Sequence, residues 1–306
     1  MKEPAPTVAI VIPCHRYGRF LAQAIDSALA QTVPPRQIVV VDDGSEDETR
    51  QVAASYGPRI ETVRISHGGV CHARNEGLRR VRADFVVFLD ADDTLAPGYL
   101  ERTCAAYSRT DRPRVDFVYT QKVHFGAARG TSRFPPFEAG ALKRGNYVMA
   151  TSLMPAALAR AHGFDPAFTD GYEDYDFVLR IVAAGGCGRL LDEPLVNVRI
   201  HADSRTAAMA RRARDHRMIR RLLGKHAATF TRAEARQALE RSLGREIAAH
   251  AEACRAGAPF LERLGSWGRL LGAAPFHPKV LGLLADVFRP GRNSACPGLD
   301  GRNKNR

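Results

Sequence analysis

A chain of 306 residues with 45% hydrophobic and 25% charged positions can bury a sizeable core, which excludes a disordered protein. Its net charge of +12 is unevenly placed: from Arg205 onward there are 21 Lys and Arg against 8 Asp and Glu, before it 24 against 25. Six cysteines without a CxxC pair, an apolar run of five residues before Pro13, and no apolar stretch of membrane-spanning length predict reduced thiols and a cytoplasmic protein; the best late run, "VLGLLADVF" at 280–288, holds Asp286.

In chain order, four strand-like runs appear: "VAIVI" (8–12), "QIVVV" (37–41), "IETVRI" (60–65) and "DFVVFL" (84–89). They are β-branched or aromatic and apolar nearly throughout, as strands buried on both faces tend to be. Between the first two, Leu21, Ile25 and Leu29 recur every four residues and mark one helical face. The alternation predicts an α/β fold, an open and mainly parallel sheet with helices on both faces. Ligands of such sheets sit beyond the carboxyl ends of the strands. The segments there are "PCHR", "DDGSED", "SHGGVCHARN" and "DADD", so Pro13, Asp42, Asp43, His67 and Asp90 to Asp93 are expected along one rim.

Two carboxylates about 4 Å apart repel by roughly 1 kcal/mol in water and about 4 kcal/mol at the effective dielectric of a surface pocket. A hard divalent cation, Mg²⁺ or Mn²⁺, relieves this and can bridge carboxylates to a substrate's phosphates. Taken alone, "DADD" fits a solvated turn equally well, with Asp92 or Asp93 starting a helix from Pro97. "DDGSED" likewise fits a strand-to-helix turn in which Gly44 allows unusual backbone angles and Ser45 with Glu48 forms a capping box. Asp170 and Glu173, three apart before the periodic Phe177 and Ile181, fit a helix N-cap with an acid at the third position. Other nucleotide signals fail: "GGCGRLL" begins like a dinucleotide fingerprint but lacks that fingerprint's last glycine and does not follow the first strand, and "GKH" lacks the upstream glycine and the Ser or Thr of a P-loop. No His/Cys cluster has structural-zinc spacing.

The ordered set "VAIVIPCHR", "QIVVVDDGSEDET", "GGVCHARNEGLRRVRADFVVFLDADD", "GYEDYDFVLRI" and "VRIH" resembles glycosyltransferase family 2 with the GT-A fold, over roughly residues 7–204. The resemblance implies a nucleoside-diphosphate-sugar donor, with Asp42 and Asp43 holding base and ribose and Pro13 shaping the base pocket. It places the DXD motif on Asp90, Ala91 and Asp92, Asp92 being the principal ligand of Mn²⁺ or Mg²⁺ and Asp90 orienting the ribose or a metal-bound water. Arg74 and Asn75 match the "ARN" segment that lines the donor site; a solvated helix-face arginine is the competing account of Arg74. Glu173 and Asp174 match the "ED" motif, with Asp174 the general base of an inverting transfer. His201 falls where relatives often carry a histidine reaching the metal or diphosphate. One departure is Arg16, where the family commonly has Asn.

The processive synthases' "QxxRW" is absent, since the single Trp267 lies in "ERLGSWGRL". The resemblance therefore implies an enzyme of polysaccharide biosynthesis that adds one sugar per encounter to a carbohydrate or lipid-linked acceptor. The loop at 124–147 is expected on the acceptor side. The expected division is a catalytic domain at 1–204, a basic helical extension at 205–290, helical to about 255, and a disordered tail at 291–306. Arg211, Arg212, Arg214, Arg217, Arg220 and Arg221 surround an apolar face of Met218, Leu222 and Leu223, which suits peripheral contact with the inner face of an anionic membrane or a merely solvated helix. No nucleic-acid motif is present. A sugar-1-phosphate nucleotidyltransferase would place a glycine-rich basic loop after the first strand, where "PCHRYGRF" has one glycine; a non-catalytic sugar-nucleotide-binding or scaffold protein would not need Asp92 and Asp174.

Overall fold

The computed structural model describes residues 6–109, 114–168, 171–204, 215–256, 258–273 and 280. The expectations for Asp170, for Arg211, Arg212 and Arg214, for 281–288 and for the tail at 291–306 lie outside the described residues.

The four predicted strands form, as β1 (Val8–Cys14), β2 (Gln37–Asp43), β3 (Glu61–Ile65) and β4 (Phe85–Phe88). They pair in parallel in the order β3-β2-β1-β4, and a short β8 (Met154–Pro155) adds antiparallel to β4. Alternate side chains serve opposite faces: Ala9, Val11, Val39, Val41, Val86 and Phe88 join one core cluster, Ile10, Ile12, Ile38, Val40 and Val87 the other. β3 departs from the expectation of burial on both faces. It is the edge strand, and only Val63 among its residues is fully buried.

Helix α1 (Gly18–Leu29) covers one face with Leu21, Ala24, Ile25 and Ala28; Leu29, expected on that face, is only partly buried. α2 (Thr49–Ser55) follows β2, and α3 (Val70–Arg80) covers the other face. α3 lies so close to the sheet that a Cβ on Gly77 would stand 2.3 Å from Cγ1 of Val11 and 3.3 Å from Cγ2 of Val41. Gly77→Ala is therefore expected to cost about 1–3 kcal/mol, the usual penalty of overpacking; a denaturation midpoint equal to wild type would show that the helix lifts freely.

The capping expectations need correction. Glu48, not Ser45, is the N-cap of α2, with no side-chain cap bond, while Asp47 Oδ1 accepts from the Thr49 backbone N–H at 3.1 Å and Oδ2 from the Gly18 N–H at 2.9 Å. Ser45 instead accepts from the Arg16 N–H through Oγ at 3.0 Å. No helix begins at Pro97 either. After "DADD" the chain makes β5 (Thr94–Leu95), and α4 (Tyr99–Tyr107) starts behind Gly98.

A second sheet was not foreseen. β6 (Phe117–Gly126) and β9 (Gly188–Ile200) run parallel, flanked by β5 on one side and β7 (Gly130–Ser132) on the other. Their register slips around Gln121, opposite Pro194, which cannot donate to the ladder. α5 (Ala139–Leu142), α6 (Ala156–His162) and α7 (Glu173–Ala183) complete this part. α7 begins at Glu173 behind Tyr172, whose φ of 67° is left-handed, so Glu173 is the first helical residue and not the third.

Beyond 204, α8 (Asp215–Lys225), α9 (Arg232–Arg255) and α10 (Phe260–Ala273) follow, the last beyond residue 255, where the helical part was expected to end. Ile219, Leu222, Leu223, Phe230 and Ala238 enter the same core cluster as Phe164, Phe168 and Phe177. The apolar face expected to be free for a lipid surface is thus spent inside the protein: Met218 is 2% and Leu222 1% exposed. Among the described residues no helix is long and apolar enough to cross a membrane, and the five described cysteines are free thiols.

Candidate active site

The carboxyl ends of β1 to β4 gather the polar segments on one rim, as the strand pattern predicts. Two of the acids face inward. Asp42 and Asp43 are each 1% exposed. Asp42 accepts from the Ser45 N–H at 2.8 Å and from Arg64 at 2.7 Å. Asp43 accepts from the Gly68 N–H at 2.7 Å, the Gly69 N–H at 2.9 Å and His67 Nδ1 at 2.9 Å. These bonds tie the loop after β3 to the end of β2. The approach requires Gly44: its φ is 68°, and a Cβ there would meet the His67 backbone nitrogen at 2.9 Å. Pro13 is buried in β1 beside them. The His15 ring stacks on His67 with centroids 4.0 Å apart, and His15 Nδ1 lies 2.7 Å from the Asp43 carbonyl oxygen. Arg16, standing where the family commonly has Asn, adopts φ 54°, a left-handed angle that Asn tolerates better than most side chains.

The acids after β4 face a different environment. Pairing of Thr94 with Asn197 and Leu95 with Val196 lays the "DADD" turn against the end of β9. Arg199 then donates its backbone N–H to Asp93 Oδ1 at 2.8 Å and its Nε to the Asp92 carbonyl at 2.9 Å. The same register brings His201 Nε2 to 3.0 Å from Asp92 Oδ2. The imidazole packs against Tyr17 and Phe20, and its buried Nδ1 has no protein partner. Ala91 between them is buried.

Burial pushes the Asp92 carboxyl up, Asp90 adds to this, and His201 only partly opposes it. Asp93 is pushed well up by burial and then by Asp92 and Asp90. Lys122 of β6, pushed down by burial, feels the opposing charges of Asp93 and Asp174. Burial is the main cause of both upward shifts, and hard oxygen donors beside an imidazole are a donor set that suits Mn²⁺ or Mg²⁺. Among the described residues His15, Asp43 and His67 also bring three ligand atoms within 4.8 Å. Both of those imidazoles, however, already turn Nδ1 toward Asp43.

Arg74 joins two motifs that are 83 residues apart in sequence. At 2% exposure it donates to Asp90 Oδ1 at 2.7 Å and to the buried Glu173 Oε1 at 2.9 Å. The solvated-arginine account of Arg74 is thereby corrected; Arg79 and Arg80 are the exposed ones. Asn75 clamps the Phe164 backbone, accepting its N–H at 2.8 Å and donating to its carbonyl at 2.7 Å. Asp174, next to Glu173, lies partly exposed in the first turn of α7. Lys122 and Arg199 escaped the sequence reading because each is a single basic residue in a strand whose pairing was not foreseen.

A parallel sheet with an acidic turn at its carboxyl edge, backed by a second sheet, defines a GT-A type glycosyltransferase fold. Residues 9–157 match the family described as Glycosyl transferase family 2. An uncharacterized glycosyltransferase of Rickettsia prowazekii, RP339, is 36% identical over 111 residues, covering 36% of this chain and 35% of that protein. The uncharacterized glycosyltransferase EpsJ of Bacillus subtilis is 29% identical over 160 residues, 51% of this chain and 44% of the other. The chain thus spans less than half the length of these relatives. Among solved structures, Staphylococcus aureus TarS 1–349 with UDP-GlcNAc has a TM-score of 0.64 at 18% identity, over 88% of this chain and 82% of that one. The mannosyltransferase PcManGT of Pyrobaculum calidifontis, with GDP-Man and Mn²⁺, has a TM-score of 0.57 at 19% identity, over 93% and 86%.

Proposed function

We propose that the protein is a metal-dependent, inverting glycosyltransferase that moves one sugar from a nucleoside-diphosphate sugar to a carbohydrate or lipid-linked carbohydrate acceptor. The observation that carries this reading is the Arg74 bridge, which holds the Asp90 end of the metal motif and the Glu173 end of the base motif in one buried network. The nucleotide sugars bound to TarS and PcManGT support the donor class, and the Mn²⁺ of PcManGT supports the cofactor.

Each group then has a task. Asp92, with His201 beside it, would hold Mn²⁺ or Mg²⁺, which when bound neutralises charge on the donor's diphosphate. Asp90 is kept in place by Arg74 and faces the donor ribose. Asp42 and Asp43 shape the base and ribose pocket through the loops and imidazoles they hold, since their own oxygens point into the protein. Pro13 and Asn75 act likewise, one by filling the floor and the other by fixing the Phe164 backbone. Asp174 takes the proton of the acceptor hydroxyl as that oxygen attacks the sugar carbon from the face opposite the departing diphosphate, which inverts the anomeric centre.

Release of nucleoside diphosphate from a panel of nucleotide sugars, with Mn²⁺ and with EDTA, tests the reading. Asp92→Ala is expected to lower the Mn²⁺-dependent rate by about 10²–10³-fold, the range seen when one preorganised electrostatic group is lost from a transition state. A rate indifferent to both the substitution and the chelator would remove the metal from the account. We further propose a cytoplasmic site of action; any contact with an anionic membrane would rest on the exposed Arg217 and Arg220, since the apolar face of α8 is buried.

A further inference from the structure

The acidic turn after β4 closes on itself through the Asp93 N–H, which donates to the Asp90 carbonyl at 3.1 Å. Two arginines from distant elements hold this turn, and they hold it differently. Arg74 of α3 takes the Asp90 carboxylate at 2.7 Å. Arg199 of β9 takes the main chain of Asp92 instead: Nε donates to its carbonyl oxygen at 2.9 Å, while the Arg199 backbone N–H donates to Asp93 Oδ1 at 2.8 Å. From the same guanidinium, Nη2 donates to the Gln23 carboxamide oxygen on α1 at 2.5 Å. Both of these guanidinium acceptors are neutral. The arginine therefore fixes Asp92 without consuming its carboxylate, which stands 3.0 Å from His201 Nε2.

The arginine is itself seated. Phe125 is its ladder partner in the parallel pair of β6 and β9, so the two side chains share a face, and the Phe125 ring centre lies 4.2 Å from the guanidinium carbon. Phe20 of α1 lies 4.6 Å from the same carbon and also meets the His201 ring at 4.9 Å. Room for the Arg199 stem depends on Gly126 at the end of β6, where a Cβ would stand 3.3 Å from Arg199 Cγ and 2.8 Å from the Ile200 carbonyl oxygen. A planar guanidinium can lie against aromatic rings while its edge donates to two acceptors, whereas a lysine ammonium is a point charge and cannot do both. Arg199 and His201 stand two residues apart at the end of β9. One strand thus delivers both the clamp on the Asp92 backbone and the imidazole beside its carboxylate.

We propose that Arg199 is a positioning residue for the metal motif: it fixes the Asp92 main chain so that the carboxylate faces a cation site beside His201, and it acts through its planar shape more than through its charge. The inference rests on the metal-dependent glycosyltransferase reading. The competing role is a direct ionic contact with the donor's diphosphate. For that a lysine would serve nearly as well, and Mn²⁺ binding without nucleotide would not depend on residue 199.

Mn²⁺ binding to the full chain in the absence of nucleotide, counted from the electron paramagnetic resonance signal of the unbound ion, separates the two. Arg199→Gln and Arg199→Lys are each expected to weaken Mn²⁺ binding by about 10–100-fold, the usual loss when a group that orients a metal ligand is removed. Phe125→Leu keeps every hydrogen-bonding group of Arg199 and removes one face of its seat; it is expected to weaken the ion by less, and it carries the test should an Arg199 variant fail to fold. In EDTA, amide hydrogen exchange at residues 90–93 is expected to quicken in both Arg199 variants, a readout that needs neither metal nor donor, while thermal unfolding shows each variant folded. Mn²⁺ affinity restored in Arg199→Lys beside its loss in Arg199→Gln would assign the role to charge and overturn the proposal, as would exchange at 90–93 indifferent to both substitutions. Wild-type binding that is lost in Asp92→Ala but kept in both Arg199 variants removes this proposal alone. Absence of Mn²⁺ binding by the wild type removes the metal from the proposed function, and this proposal with it.

Discussion

Asp174→Asn is expected to lower turnover by about 10²–10⁴-fold, the usual contribution of a positioned general base, and to leave donor and metal binding intact. Three features support so large an effect. Glu173 is locked to Arg74 and buried, which fixes the first turn of α7 and leaves the neighbouring Asp174 partly exposed. Asp174 sits at the amino end of an eleven-residue helix, where the peptide dipoles favour a negative charge. The Lys122 ammonium lies within electrostatic reach of it. An amide in the same place keeps the shape and cannot accept the hydroxyl proton. The split between constants is the diagnostic: the asparagine variant should bind a nucleotide sugar with Mn²⁺ as wild type does and fail to transfer. Glu173→Gln should behave differently, weakening metal-dependent donor binding as well, because it releases Arg74 and with it Asp90. Near-normal transfer by Asp174→Asn would remove the aspartate from the chemistry and leave it as a helix-start acid.

The largest effect on stability is expected at Asp176, which lies in the "GYEDYDFVLRI" segment but has no role there in the resemblance. Its side chain is fully buried and accepts from Arg180 Nε at 2.9 Å, while its other oxygen meets Lys225 Nζ at 2.8 Å and His226 Nε2 at 2.9 Å. Burial alone would raise this carboxyl, but the bonds from His226 and Lys225 and the charge of Arg180 outweigh it and hold it below the ordinary aspartate range. Lys225 also reaches Asp165 at 2.5 Å, so α8 is pinned to the catalytic body by one cluster. Removing the central anion takes the shared partner from the buried His226 and the partly buried Arg180 and Lys225, and Asp176→Ala is expected to cost about 3–5 kcal/mol. Asp165→Asn, at a half-exposed pair, should cost about 1 kcal/mol or less. The sign of the pH dependence follows from the depressed carboxyl: its stabilisation is complete above the unfolded aspartate value and is lost as pH falls through the lower folded value. Urea midpoints measured at neutral and acidic pH should therefore converge for wild type and Asp176→Ala; a difference that persists undiminished in acid would assign the loss to packing instead.

The sequence by itself determined the four parallel strands, their carboxyl-end rim and the family, because short apolar runs and the polar segments that follow them are local features. "VAIVI" and "QIVVV" can satisfy their burial only inside a sheet, and the first polar residues after them must lie at its edge. What only the tertiary structure decided was who meets whom across distance. The meeting of His201 with Asp92 depends on the β5–β9 register, which nothing near either residue encodes. Arg74 reads as one more basic residue on a helix until the fold lays α3 beside α7 and gives it two carboxylates. Ser45 and Glu48 have the spacing of a capping box, yet Asp47 meets the Thr49 and Gly18 N–H groups instead, since a side chain bonds to the donor that packing places in reach. The apolar face of α8 looked available because its partners, Phe168 and Phe177, lie tens of residues earlier in the chain. Burial and ion pairing are properties of neighbours in space, and sequence spacing fixes those neighbours only within a helix turn or along a strand.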